Sequence, residues 1–187
     1  MRTFKLQVQM SVDGYMSGPN GEMDWLTYPE GEDISAYTTG LAERVDTIVL
    51  GRKLAEGFIP HWAAGPEDEP KEAVDQINRA HKVVISRTLT ASPWENTVIE
   101  GGDLTETVTR LKERAGGDLI VYGGGTLVAE LIARQLIDEL HVFVNPVALG
   151  GGMPVFGGPG AYRGFRLVDA RPFACGITAL RLEPKRS

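Results

Sequence analysis

Between Asp118 and Leu131 the chain reads DLIVYGGGTLVAEL, and few folds can accommodate that run. Leu119, Ile120, Val121 and Tyr122 are strand-type residues that stop at Gly123, Gly124 and Gly125. From Thr126 the apolar residues recur at helical spacing, with Leu127, Val128, Leu131 and Ile132 on one stripe. A strand, a tight turn and a helix start thus follow one another without a linker. Consecutive glycines let backbone approach a ligand without Cβ obstruction, and the first helical turn offers unpaired N–H groups at the positive end of its dipole. Such a turn suits a phosphate or pyrophosphate; a sharp strand-to-helix connection needs the same glycines, and the stretch alone supports both readings. It is not a Walker loop, since no Gly-Lys-Ser/Thr follows, and it lacks the G-x-G-x-x-G spacing of a dinucleotide fingerprint.

The rest of the chain repeats the alternation of strand and helix. Phe4–Val12 alternates apolar and polar residues, the period of a strand with one face buried, and ends at Asp13-Gly14. Gly18-Pro19-Asn20-Gly21 is turn chemistry, and Glu22–Leu26 then brings Asp24 and Trp25 together in a loop. Asp33–Arg44 predicts a helix with an acidic start and a basic end. Thr47–Leu50 is a short buried strand running into Gly51-Arg52-Lys53 and a brief helix through Phe58, after which Pro60–Pro70 reads as a loop. Lys71–Arg79 is a helix and Lys82–Ile85 a strand ending at Ser86-Arg87-Thr88. Thr97–Ile99 is a strand, Leu104–Arg114 a helix, and Asp138–Val144 another strand. Pro146–Phe156 is unusually apolar for a connection, which predicts that it is covered by its own subunit or by a second one. Phe165–Arg171 and Ile177–Leu182 predict a closing antiparallel pair.

This order predicts an α/β fold: residues 1–187 as one domain, a mostly parallel sheet with helices on both faces, and an antiparallel C-terminal edge. Ligands of open sheets sit at the carboxyl ends of strands. Three such ends carry Gly51-Arg52-Lys53, Ser86-Arg87-Thr88 and Gly123–Thr126, and their coincidence is more specific than any one of them.

Taken together, Ser11–Tyr15, Gly21–Leu26, Leu50-Gly51-Arg52, Ile85-Ser86-Arg87, Val121–Gly125, Ile137–Leu140 and Pro146–Phe156 resemble the dihydrofolate reductase-like family, in the branch related to the reductase (RibD C-terminal) domain of riboflavin biosynthesis. The resemblance spans nearly the whole chain. It implies an NADPH site, with Gly51, Arg52, Lys53, Ser86, Arg87 and Thr88 around the adenosine ribose and its 2′-phosphate. It likewise implies Gly123, Gly124, Gly125, Thr126 and Leu127 at the pyrophosphate and toward the nicotinamide, with the first strand and the loop through Trp25 on the substrate side. The activity implied is hydride transfer from NADPH to a C=N or C=O bond of a small heterocycle, pyrimidine- or pterin-like. It resembles that of 5-amino-6-(5-phosphoribosylamino)uracil reductase or dihydrofolate reductase. Asp13 is the candidate proton donor, and Asp24 and Asp33 share with it the candidacy for substrate orientation; each equally suits a turn or helix cap. Asp33 lies only near the place where dihydrofolate reductases carry their pteridine-binding carboxylate. The zinc-binding His and Cys motifs of the deaminase often fused to the riboflavin enzymes are absent from this sequence. A nucleotide-binding module that keeps the site without turnover has the same glycines and cations. The resemblance also implies a homodimer.

Composition limits the partners. A formal charge of -6 and a pI near 5.1 argue against nucleic acid or an anionic membrane, both of which need a basic face. No apolar run approaches the roughly 20 residues that span a bilayer, and the N-terminus has no signal-peptide pattern. The single Cys175 rules out a disulfide framework and points to a cytoplasmic protein, and reads as a small strand residue rather than a nucleophile. His61, His81 and His141 have no metal-ligand spacing.

Overall fold

A computed structural model describes residues 1–26, 31–67, 69–123, 125–157 and 164–185. Ten strands and five helices appear among them: β1 (Phe4–Ser11), β2 (Tyr15–Ser17), α1 (Glu32–Ala42), β3 (Val45–Gly51), α2 (Arg52–Ala63), α3 (Lys71–Arg79), β4 (His81–Ile85), β5 (Thr97–Glu100), α4 (Leu104–Glu113), β6 (Asp118–Tyr122), α5 (Gly125–Ala133), β7 (Glu139–Asn145), β8 (Met153–Pro154), β9 (Phe165–Pro172) and β10 (Thr178–Pro184). The main sheet runs β5-β4-β3-β6-β1-β7-β10-β9. From β5 to β7 all neighbours are parallel, and β10 is antiparallel to both β7 and β9.

Alternation along β1 divides the sheet into two faces. Phe4, Leu6 and Val8 pack with Leu119, Val121, Leu140 and Val142 under α4 and α5, whose Val108, Leu111, Val128 and Leu131 complete one buried core. On the other face Ile48, Leu50, Val84 and Ile120 lie under α2 and the end of α1, while Ile34 of α1 packs on Phe143, Phe173, Ile177 and Ala179. Asp103 caps α4 by accepting from the N–H groups of Thr105 and Glu106.

Topology places the crevice. From β1 the chain crosses to β3, moves outward through β4 and β5, and returns to fill the place between β3 and β1 with β6. The strand order therefore reverses around β6, and the crevice of such a sheet opens there at the carboxyl ends.

Some local expectations differ from the structure. α2 does not stop near Phe58 but continues to Ala63 with Pro60 inside it, so the loop expected from Pro60 begins later. Proline forfeits one helical hydrogen bond, while Ile59 is buried and Phe58 and Trp62 rest on each other with ring centroids 5.9 Å apart. Packing of those side chains outweighs the lost bond. β2 and β8 form a separate two-stranded ribbon that periodicity did not announce, because three and two residues are too few to show a period. Cys175 lies in the exposed turn between β9 and β10 rather than in a strand, since the N–H of Gly176 closes that turn on the carbonyl of Phe173. Among the described residues no helix is long and apolar enough to cross a membrane, and no His, Cys, Asp or Glu group is arranged to hold a metal.

Candidate cofactor and substrate site

Three neighbouring strand ends build the first half of the site. β4, β3 and β6 are adjacent, so Ser86-Arg87-Thr88, Gly51-Arg52-Lys53 and the turn after Tyr122 lie side by side. Ser86 is buried, and its Oγ accepts from the N–H groups of Thr88 and Leu89 at 3.2 and 3.0 Å, which fixes the turn after β4. Arg87 and Thr88 are carried outward on it and are exposed. Arg52 opens α2 and donates to Glu56 at 2.6 Å, one turn along the same helix. An exposed pair of that kind is worth well under about 1 kcal/mol, so the guanidinium is free to turn to a better anion. Lys53 is exposed. Gly51 ends β3 with Leu127 packed beside its Cα, and Thr126 is exposed on the first turn of α5.

Gly124 lies outside the described residues. Gly123, at the end of β6, lies against Val8 and Met16, and Gly125 starts α5 beneath the side chain of Met153. A Cβ on Gly125 would collide with the sulfur of Met153, so the Met153 side chain lies over the helix start in the space that glycine leaves. The unbranched Met153 side chain is 42% exposed and can swing away. Gly152 has φ +141, and a Cβ there would meet the carbonyl of Ser17; this seats β8 against β2.

β1 and β7 supply the second half. Asp13 follows β1, and its carboxylate receives the Ser11 hydroxyl at 2.6 Å, the Leu149 N–H at 3.1 Å and the Gly150 N–H at 2.7 Å. The Ser11 hydroxyl, then the Gly150 and Leu149 amides, pull its pKa down to about 2. At neutral pH only roughly one carboxyl in 10⁵ then carries a proton, too few for a proton donor. Asp13 instead ties the loop after β1 to the loop after β7, together with the bonds from Val12 N–H to Val147 O and from Val155 N–H to Gly14 O.

Asp33 is similarly engaged. Its two oxygens accept from the N–H groups of Ile34 and Ala174, joining α1 to the β9–β10 turn, and the Ala174 amide is the main cause of its lowered pKa. Asp24 is exposed, while Trp25 is partly buried with its indole N–H enclosed and unpartnered among the described residues. The side chains between these loops and β6 are Gln7, Gln9 and Tyr122, which sequence reading passed over as the polar alternation of a strand and the end of an apolar run. Tyr122 stacks on Phe58 at 5.5 Å, and burial pushes its hydroxyl up to about 12, so it remains protonated. A surface hollow lined by Glu43, Asp46, Gln76 and Arg79 opens at the amino ends of β3 and β4, away from these groups.

The Asp13 geometry makes a prediction. Asp13→Ala is expected to speed amide hydrogen exchange at Leu149 and Gly150 while leaving the β1–β7 ladder protected. The folded-state pKa is depressed, so the contact is complete above the ordinary value of 3.8 and is lost as pH falls through about 2. Exchange at the two amides unchanged by the substitution would show that the carboxylate does not hold the loop.

Sheet order and antiparallel edge define a dihydrofolate reductase-like fold. The dihydrofolate reductase of Enterococcus faecalis complexed with NADP(H) superposes with TM-score 0.58 at 14% identity, covering 98% of this chain and 97% of that one. A protein from Shewanella sp. PV-4 described as a riboflavin-biosynthesis protein superposes with TM-score 0.78 at 24% identity, covering 98% and 99%. The sequence matches the RibD C-terminal domain over residues 2–179, and the chain belongs to that family. It is also 32% identical over 183 residues to the uncharacterized protein YyaP of Bacillus subtilis (strain 168), covering 96% of this chain and 93% of that protein.

Proposed function

We propose that this chain is an NADPH-dependent reductase that delivers hydride to a C=N or C=O bond of a small pyrimidine- or pterin-like heterocycle. The observation that carries the reading is the adjacency of β4, β3, β6 and β1, which sets two cation-bearing strand ends and the glycines after β6 side by side. The residues suit the cofactor. Arg52, Lys53 and Arg87 offer donors for a 2′-phosphate, the buried Ser86 turn gives a ribose a firm wall, and the first N–H groups of α5 face where a pyrophosphate would lie. NADPH, when bound, supplies the hydride.

This chain's own groups do the rest. Met153, which covers Gly125 at the start of α5, would turn aside for a pyrophosphate to reach the N–H groups there, and the β2–β8 ribbon is tied to the Asp13 loop beside it by the bond from Val155 N–H to Gly14 O. With Asp13 held ionised, the proton for the reduced substrate comes from solvent reaching the cleft. The reading also includes action in the cytoplasm, as the disulfide-free sequence suggests. The test is NADPH oxidation, followed by absorbance, against a panel of pyrimidines, pterins and simple carbonyl compounds. Turnover on one of them is expected; saturable NADPH binding with no oxidation on any would favour a binding module.

The same reading includes a homodimer. Val155 of the apolar Pro146–Phe156 connection is buried in its own subunit, but Met153 and Phe156 are exposed, and Leu167 and Val168 on the edge strand β9 are 56% and 36% exposed. Light scattering at micromolar concentration is expected to give twice the chain mass, and Leu167→Lys with Phe156→Lys to halve it. A monomer at every accessible concentration would refute the dimer.

A further inference from the structure

The side chain that covers the first turn of α5 has chemistry of its own. Met153 lies in β8, and its backbone is fixed on both sides. Ser17 of β2 pairs with it, Gly152 before it sits close on the Ser17 carbonyl, and Val155 after it is buried and donates its N–H to the Gly14 carbonyl. From that backbone the side chain reaches over Gly125, where its sulfur takes the space that a Cβ would fill. The same side chain is 42% exposed.

What it covers is a helix start that the chain leaves unsatisfied. The first N–H groups of a helix have no partner within it. α5 has no acidic residue in its first turn, and no described side chain accepts from the N–H groups of Gly125, Thr126 or Leu127. A thioether is only a weak acceptor, so Met153 shields these donors without satisfying them. The other methionines are placed differently: Met16 is buried, Met10 is partly buried in β1, and Met1 and Met23 are exposed at the chain start and in the loop before α1. Met153 alone among them sets an accessible sulfur over unpaired donors at the start of a helix.

Building on the reductase reading, we propose that Met153 is an oxidation site whose sulfoxide closes the cofactor turn at the start of α5. The oxidant is hydrogen peroxide. A sulfur lone pair forms the S–O bond as the O–O bond breaks, the sulfur is oxidised by two electrons, and the second oxygen leaves with both protons as water. The sulfoxide oxygen is a strong acceptor with partial negative charge. Held over Gly125, it accepts from the N–H groups at the positive end of the α5 dipole, the groups that a pyrophosphate would use. The thioether gives way to a phosphate, whereas the sulfoxide competes with it. Enzymatic reduction of the sulfoxide returns the thioether, which makes the closure reversible.

The experiment treats the protein, in its native assembly, with dilute hydrogen peroxide that is then removed. Peptide mass spectrometry reads the extent of oxidation at each methionine, amide hydrogen exchange is followed at Thr126 and Leu127, and NADPH is titrated by calorimetry. Met153→Leu, treated alike, keeps Met1 and Met23 and so carries any effect of theirs. Oxidation of Met153 is expected to slow exchange at the two amides and to weaken NADPH binding about fivefold to tenfold, the contribution of one hydrogen bond. Methionine sulfoxide reductase is expected to restore both, and Met153→Leu to show neither change. The proposal is overturned if Met153 stays reduced while Met23 oxidises, if Met153 oxidises and either readout is unchanged, or if Met153→Leu changes equally. An untreated protein that does not bind NADPH would refute the reductase reading by itself; exchange at Thr126 and Leu127 then decides alone whether the sulfoxide occupies the helix start.

Discussion

Asp118→Ala is expected to lower the unfolding free energy by about 3–5 kcal/mol, the cost of leaving one member of a buried ion pair without the other. Lys5 lies in β1, the central strand between β6 and β7, paired with Ile120 of the apolar cluster that includes Leu41, Ile48 and Leu50. Its ammonium lies 2.9 Å from Asp118 and donates to the Leu41 carbonyl at 3.1 Å, with only about a tenth of either side chain of the pair exposed. The exposed Arg44, 4.0 Å from the same carboxylate, cannot replace Asp118 as the partner of a cation. Removing the carboxylate leaves the ammonium with one carbonyl in a site that water barely reaches. A loss of that size is a large fraction of the 5–15 kcal/mol typical of a whole domain. Urea denaturation at unchanged slope measures it, and Lys5→Met combined with Asp118→Leu is expected to recover most of the loss by turning the pair into packing. A single Asp118→Ala variant within about 1 kcal/mol of the parent would mean that the site is wetter than the geometry indicates.

Arg52→Ala combined with Arg87→Ala is expected to weaken NADPH binding by two orders of magnitude or so, while NADH affinity moves little. Each charge-assisted hydrogen bond to a phosphate is worth about 1.5–3 kcal/mol, at least about tenfold in affinity. Arg52 comes from the start of α2 and Arg87 from the turn after β4, so the two approach an anion from neighbouring strand ends. Both are solvent-facing to different degrees, and the preference is therefore expected to shrink as salt is added. Equal loss for NADPH and NADH would place these cations elsewhere than the 2′-phosphate.

Much of the architecture can be read from the residues because it rests on strong local signals. The run Leu119–Tyr122 before three glycines could only be a strand entering a tight turn, and the repeated strand–helix alternation required a parallel sheet. What escaped reading depends on partners far along the chain. Asp13 looks like an acid at the end of a strand, and only the folded chain brings Leu149 and Gly150, some 136 and 137 residues away, onto its oxygens. Gln7 and Gln9 follow the pattern of a solvent-facing row, yet both are partly buried, and only the folded chain brings Asn145 to the Gln9 side chain. Pro60 signals a helix end locally, and packing of Ile59, Phe58 and Trp62 overrides it. Gly125 and Met153 meet because β8 returns across α5, a contact with no sequence period to announce it.

If the ends of β4, β3 and β6 hold NADPH, calorimetric titration of the unaltered protein with NADPH and with NADH at one ionic strength is expected to show saturable binding of one NADPH per chain, tighter than NADH by about tenfold or more from at least one phosphate-paired cation. Equal affinities for the two, or no binding of either, would contradict that site.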